Sequence, residues 1–304
     1  MTENPYQSDG PPALQQSLVA YADILGYEAR SRQALAAGEG ETFLRQLHAA
    51  LTDAHVRMRR SAEGFDPEDR LRPHNFCLQV FTDNIVLGYP CSPLDSGEPE
   101  LGHMLIILAD FQLALAMQGF FVRGGLAFGD HYMDHDVVFG SALLAAVGQD
   151  RRGGPPRLSL DQSAVDLVYR HMSFYGGRVE QTPHYEQLLR DADGLFFLDY
   201  LGSAFVYSPV GGVPFDVLEA HKRAVVDGLV ESRSAPDVRA KFEWLARYHN
   251  YVCRRYAESY PPSEGVTGDE DPEYEAIAVE AQLTPEYLVD VESLAASPTP
   301  IWFD

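Results

Sequence analysis

Two carboxylates in this 304-residue chain stand where a carboxylate is costly. Asp23 interrupts the apolar, strand-like run "VAYADILGY", and Asp83 lies in "VFTDNIV", about sixty residues further on. A charged side chain in a buried strand needs a partner. Taken alone, Asp23 reads as a satisfied core residue, a surface turn or one half of a metal site. Asp83 alone reads as a turn residue at a hairpin tip. If the two segments are neighbouring strands, their carboxylates converge. Two acids with no histidine beside them make a hard, all-oxygen site, suited to magnesium or manganese with phosphate oxygens filling the shell. Gly26 ends the first segment in a tight turn, whose backbone N–H groups can hold a phosphate tail.

The elements that must position these acids can be read along the chain. Residues 1–15 read as a disordered lead-in and 17–27 as a buried strand. Phe43, Leu44, Leu47, Ala50 and Leu51 recur at helical spacing, continuing to about Met58. "FCLQVFTDNIVLGYP" reads as two short strands around a tight "TDN" turn, and 101–119 as a helix. "FFVRGGLAFGDHYMDHDVVFG" reads as a strand, a hairpin loop and a return strand. Ser141 then caps a short helix in "SALLAAVGQD". "RRGGPP" marks a junction near residue 155. Beyond it, "PRLSLDQSAVDLVYRHM" reads as strand then helix, "DGLFFLDYLG" as a strand and 216–258 as strongly helical. Trp244, Leu245 and Tyr248 read there as core. The segment from 261 is an acidic, loop-rich tail, with a turn or two of helix over Pro285 to Leu294.

These elements predict an α+β fold, a mixed sheet with helices packed on one face and a mainly helical C-terminal extension. The divisions expected are a lead-in at 1–15, a catalytic domain at 16–155, an extension at 156–260 packed on it and a tail at 261–304. The formal net charge of −22 argues against non-specific binding to nucleic acid or anionic lipid. Cys77, Cys91 and Cys253 show no CxxC spacing and read as reduced thiols of a cytoplasmic protein. The polar start "MTENPYQSDGPP" reads as neither a secretory signal nor a transit peptide. "LIILADFQLALAMQGFFV" carries Asp110 and Gln112 and reads as a buried helix running into a strand, not a membrane span. His131 and His135 read as a solvated pair on the hairpin loop.

Three blocks, in order, resemble the class III nucleotidyl cyclases, whose core is ferredoxin-like. "YADILGY" is similar to the family's first metal-binding strand, F-x-D-I-x-G-F. "VFTDNIV" is similar to its hairpin with the second metal-binding Asp. "VRGGLAFGDHYMDHDVVFGSALLAAVGQD" resembles R-x-G-I-x-x-G, a variable loop, then F-G-x-x-V-N-x-A-A-R. The match covers roughly residues 17–150. It implies that Asp23 and Asp83 bind two divalent ions, Mn2+ or Mg2+, with the backbone carbonyl of Ile24 as a further ligand. The amides of Leu25, Gly26 and Tyr27 would face the β- and γ-phosphates. It also implies a homodimer, arranged head to tail, with active sites at the subunit interface.

The departures from the family narrow the substrate. The purine-reading positions fall at Gln79 and Val137, where adenylate cyclases have Lys and Asp and guanylate cyclases Glu and Cys. The transition-state Asn and Arg fall at Leu144 and Gly148 and are missing. Arg151, Arg152 and Arg157 read first as exposed junction residues, and Arg123 has the same plain reading, but these four are the cations near enough in sequence to replace the charge. "FTDNIVLGY", the block around Arg123 and "DGLFFLDYL…KFEWLARYHNYV" resemble the bacterial pyrimidine nucleotide cyclases of Pycsar antiphage systems. In that reading Gln79 addresses a pyrimidine edge and Tyr27 narrows the base pocket. The expected reaction is UTP, or less favourably CTP, to the 3′,5′-cyclic monophosphate and pyrophosphate, sensed by a separate effector. A purine cyclase and a catalytically silent nucleotide-binding module of the same fold are the alternatives.

Overall fold

The strand that carries Asp23, "QQSLVAYADI", is the centre of the sheet. The computed structural model describes residues 4–7, 10–63, 76–92, 96–176, 178, 181, 182, 184, 186–206 and 214–259. In chain order the elements are β1 (Gln15–Ile24), α1 (Tyr27–Ala36), α2 (Gly40–Glu63), β2 (Cys77–Phe81), β3 (Asn84–Pro90) and α3 (Glu98–Met117). Then come β4 (Val122–Met133), β5 (Val138–Gly140), α4 (Ser141–Arg151), β6 (Leu158–Leu160) and α5 (Gln162–Met172). The last are β7 (Leu188–Arg190), β8 (Phe196–Leu198), α6 (Ser203–Val206), α7 (Phe215–Glu231) and α8 (Pro236–Ser259). The sheet order is β2-β3-β1-β4-β6-β8-β7, with β5 paired to the far end of β4. β1 is antiparallel to both β3 and β4, and β6 is parallel to β4. This is an α+β fold on an eight-stranded mixed sheet.

Alternation along β1 gives the sheet two different faces. Leu18, Ala20, Ala22 and Ile24 join the main core, with Leu47, Ala50 and Met58 of α2 and Met104, Leu105 and Leu108 of α3. Val19, Tyr21 and Asp23 therefore point the other way. Paired residues of antiparallel strands share a face, so Gly125 and Arg123, opposite Tyr21 and Asp23, lie there too.

Helices occupy both faces, which corrects the expectation of one. α4 packs on the second face, because β4 presents the small residues Gly125, Ala127 and Gly129 there at alternate positions. A Cβ at Gly125 would lie 2.6 Å from Gln149 Cβ and 2.7 Å from the Ala146 carbonyl oxygen. Only glycine lets the helix sit that close. Gly140, not Ser141, holds the cap position of α4. Ser141 is the first helical residue, and its hydroxyl is 3.5 Å from the Asp130 carbonyl.

The apolarity of α3 is used inside the fold. By length and composition it passes for a membrane span, but 78% of its apolar window is buried. Within the expected disordered lead-in, Tyr6 is packed against the sheet. Tyr6 is 2% exposed, with its ring edge-on to His131 and Tyr132.

Strands beyond residue 155 extend the same sheet. β6 pairs with β4, β8 with β6 and β7 with β8. Asp161 caps α5, its carboxylate accepting from Ser163 N–H at 3.0 Å. α7 and α8 cross where Gly228 leaves room for the Phe242 ring, and the Phe242 ring packs edge-on against Phe121 at the start of β4. The acidic tail and its Pro285 to Leu294 turn lie outside the described residues.

Candidate active site

Asp23 is the penultimate residue of β1, and Asp83 lies in the turn between β2 and β3. The Ile24 N–H donates to the Asp83 carbonyl at 3.0 Å, which ties the two acidic segments together. The Asp83 carboxyl is near enough to help raise that of Asp23. The turn is unusual, because Thr82 has φ 58°. A β-branched residue in that region is strained. The Thr82 hydroxyl is 2.6 Å from the Phe81 carbonyl and 2.7 Å from Asp83 Oδ1. Asn84 Nδ2 also donates to Asp83 Oδ1, at 3.1 Å. Asn84 Oδ1 in turn accepts from the Tyr21 hydroxyl.

A third carboxylate, Asp150 at the end of α4, completes the cluster. Burial raises the Asp23 carboxyl to about 6, and the charges of Asp150 and Asp83 add to the shift. Burial, with the charges of Asp150, Asp23 and Asp83, also raises the Tyr21 phenol to about 12. Arg123 opposes this crowding. Its Nε lies 2.7 Å from Asp150 Oδ1 and 3.5 Å from Asp23 Oδ2. Lys241 of α8 feels the charges of Arg123, Asp23 and Asp150, and burial lowers its ammonium. Three acids face two bases, so the cluster is one negative charge in excess when all are ionised.

That excess of oxygen ligands and negative charge fits a hard divalent cation. Among the described residues no three His, Cys, Asp or Glu side chains form a ligating group. Asp23 and Asp83 therefore supply part of a coordination shell, and the remaining ligands would come from elsewhere.

The structure places the other expected residues unevenly. The Leu25 N–H is donated to the Phe121 carbonyl at 2.8 Å, so that amide is engaged within the sheet. Gly26 takes the cap position of α1 with φ 71°, and Tyr27 is the first helical residue. The Tyr27 ring packs toward Phe43, 6.3 Å between centroids, on the main-core side. Gln79 and Val137 do meet at one loop. Gln79 Nε2 donates to the Asp134 carbonyl, and Asp134 N–H donates to the Val137 carbonyl at 2.9 Å. Asp134 Oδ1 also accepts from the N–H of Val137, at 2.8 Å, which fixes the loop tip. Gln79 pairs with Val86, which pairs with Tyr21, so it shares the face of Asp23. Tyr27 is not brought to that loop.

Arg157 and the histidine pair are corrected, while Arg151 and Arg152 are the exposed junction residues expected. Arg157 is 3% exposed and buried against Asp191 and Asp193, away from the acidic cluster, because it anchors β6 to the C-terminal layer. His131 lies on β4 with no exposure, while His135 is exposed at the loop and bonded to Asp136, so they are not a solvated pair. Leu144 is 73% exposed on α4, and Gly148 has open space around its Cα. Leu245 and Tyr248 are buried, and Trp244 stacks on Tyr248 at 5.4 Å while its Nε1 donates to Asp191.

A cleft of about 900 Å³ opens between α1, α7 and α8. It is lined by Leu25 and Gly26 of the loop after β1 and by Arg30, Arg223 and Phe242, but contains neither Asp23 nor Asp83.

No model of a known protein family matches this chain, and no curated protein matches it either. The site therefore rests on its own residues. Tyr21, Asn84, Asp150 and Lys241 belong to it and were not anticipated. Tyr21 was within reach, since it shares a face with Asp23 by alternation. Asp150 follows the buried stripe Ala142, Ala146 and Gln149 of α4.

Proposed function

We propose that the protein is a nucleotidyl cyclase that converts UTP, or less favourably CTP, to the 3′,5′-cyclic monophosphate and pyrophosphate. The observation that carries this reading is the bond from Ile24 N–H to the Asp83 carbonyl, which sets the acids of "YADILGY" and "FTDNIV" side by side at one sheet end. Asp23 and Asp83 would hold the divalent ions, Mn2+ or Mg2+. Bound there, the ions would lower the pKa of the ribose 3′-hydroxyl and offset charge on the departing pyrophosphate. The hydroxyl oxygen bonds to the α-phosphorus, the bond to the β-phosphate bridging oxygen breaks, and the hydroxyl proton is released. The chain itself supplies positioning, through the α1 N-terminus at Gly26 and Tyr27, and charge neutralisation, through Arg123.

The choice of a pyrimidine rests on Gln79 and Val137, which lack the purine-reading side chains; Gln79, on β2 and on the face of Asp23, reaches the loop that carries Val137. Antiphage signalling through a separate effector rests on the sequence resemblance alone. A head-to-tail homodimer is supported by the apolar side chains left uncovered around this face: Phe81 beside the Asp83 turn and Val137, Phe139 and Leu144 along β5 and α4. The second reading, a catalytically silent nucleotide-binding module, is favoured by Leu144 and Gly148 at the transition-state positions.

Incubation of the purified protein with Mn2+ and each of the four ribonucleoside triphosphates, read by mass spectrometry, tests the proposal. Cyclic UMP or cyclic CMP is expected. A cyclic purine as sole product overturns the pyrimidine assignment, and no product with any nucleotide favours the silent module. Asp83→Ala is expected to abolish turnover and leave the chain folded. Normal cyclisation by that variant removes the metal assignment.

A further inference from the structure

We propose that Lys241, on the C-terminal helix α8, binds the triphosphate of the substrate at the Asp23–Asp83 cluster, so that the extension completes the active site. This rests on the nucleotide cyclase reading and assigns a role to a residue outside the block that resembles the cyclases.

The placement of Lys241 follows from contacts on both sides of it. Phe242 packs edge-on against Phe121, 5.8 Å between centroids, and the Phe121 carbonyl accepts the Leu25 N–H from the loop after β1. Trp244, three residues on and so on a neighbouring part of the helix surface, donates to Asp191 at 2.7 Å. Asp191 is an ion-pair partner of Arg157, whose carbonyl accepts the N–H of Gly124 at 3.1 Å. α8 is thus pinned to the start of β4 on both sides of Arg123. Around the circumference of α8 Lys241 falls between Phe242 and Trp244, where its charge interacts with Arg123, Asp23 and Asp150, and with Asp237 one turn earlier on α8.

Chemistry then says what Lys241 lacks. It is half-buried, and among the described residues it forms neither a hydrogen bond nor an ion pair. Arg123, by contrast, is held by Asp150. An ammonium partly withdrawn from water beside a guanidinium is repelled by it. An anion lying against both cations relieves that repulsion. Asp23 and Asp150 do not fill this role, since each is closer to Arg123 and neither forms an ion pair with Lys241, and Asp237, which also acts on it, is exposed to water and forms no ion pair with it either. A polyphosphate that brings its own divalent cations to Asp23 and Asp83 has the right sign for the acids and for Lys241 at once. An ammonium binds phosphate as a point charge without the bidentate geometry of arginine, so a lysine suffices.

The test uses the full chain and calorimetric titration with three probes: inorganic tripolyphosphate with Mn2+, UTP with Mn2+ and UMP. For Lys241→Met, the affinity for tripolyphosphate and UTP is expected to fall about tenfold or more, with UMP unaffected. Lys241→Arg is expected to recover most of the loss. The melting temperature of Lys241→Met is expected to stay level or rise, because the lysine is half-buried and unpaired, which separates ligand binding from a structural role. Lys241→Gln replaces the Met variant if the latter does not fold. Unchanged tripolyphosphate affinity in the Met or Gln variant overturns the role of Lys241 and leaves the cyclase reading standing. A wild-type chain that binds neither tripolyphosphate nor UTP overturns both.

Discussion

The guanidinium of Arg123 stands 2.7 Å from the carboxylate of Asp150, closer than the 3.5 Å that separates it from Asp23, its neighbour across the strands. Asp150 thus draws the arginine away from the acid that would otherwise be neutralised by it. The consequence is a cluster in which Asp23 remains short of positive charge, with its carboxyl raised to about 6 by burial and by Asp150 and Asp83.

Asp150→Asn removes that pull. Arg123 is then free to close on Asp23, and one negative charge is lost from the neighbourhood of a bound cation. Both changes act in the same direction. Titration of the isolated protein with Mn2+ is expected to show affinity roughly three- to tenfold weaker than the wild type. Equal affinity would remove Asp150 from the cluster's function.

Gly125 tests how α4 delivers Asp150. A side chain at this position meets Gln149 and the Ala146 carbonyl at under 3 Å. The backbone carbonyl cannot move without shifting the helix, so even Gly125→Ala is expected to destabilise the fold by roughly 1–3 kcal/mol in urea denaturation. It is also expected to weaken Mn2+ binding, because the helix that moves carries Asp150. A variant with wild-type stability would mean that α4 does not rest on this strand.

How much of this arrangement is legible in the sequence depends on how far each signal reaches along the chain. Asp23 is legible because it is the odd charge in an apolar strand, and Asp83 because the hairpin between β2 and β3, whose turn it occupies, is short enough to be read locally. The second helical face was missed although its signal is present: Gly125, Ala127 and Gly129 fall at alternate positions of β4, a strip that only a closely packed helix needs. Tyr6 was missed because a buried anchor six residues from the start has no periodicity around it. Lys241 has no local signal at all. Its meeting with Asp23 depends on the Phe121–Phe242 and Asp191–Trp244 contacts, which link elements more than fifty residues apart. The reading of Arg157 as an exposed junction residue failed for the same reason, since Asp191 and Asp193 reach it only through the C-terminal layer.

The buried His131 makes stability sensitive to acid. Burial lowers its imidazole to about 4, against 6.5 when unfolded, and neither ring nitrogen has a hydrogen-bond partner among the described residues. Between those two values the unfolded chain binds the proton and the folded chain does not, so stability is full above about pH 6.5 and declines as the pH falls toward 4. The loss amounts to roughly 2–3 kcal/mol by the lower end. Burial also lowers His184, to about 3, and it contributes in the same sense. Asp23 acts oppositely, gaining stability as the pH falls through about 6. His131→Phe keeps a flat ring against Tyr6 and has nothing to protonate. Urea melts of that variant are expected to fall less steeply between pH 6.5 and 4 than those of the wild type, and parallel curves would contradict the account.

Thr82 separates strain from positioning at the Asp83 turn. At φ 58° its β-branched side chain costs about 1–2 kcal/mol that glycine does not incur. Thr82→Gly relieves this, but it loses the hydroxyl beside Asp83 and adds freedom to the unfolded chain. These effects nearly cancel, so stability is expected to remain within about 1 kcal/mol of wild type. Thr82→Val keeps the branch and the strain and loses only the hydroxyl, so it is expected to be less stable than the glycine variant by about 1 kcal/mol. Both variants leave the Asp83 carboxylate without its 2.7 Å partner, and both are expected to bind Mn2+ more weakly than the wild type. Should Thr82→Val match the wild type in urea denaturation and in Mn2+ titration, the hydroxyl has no part in holding Asp83, and the strained turn is left without a function.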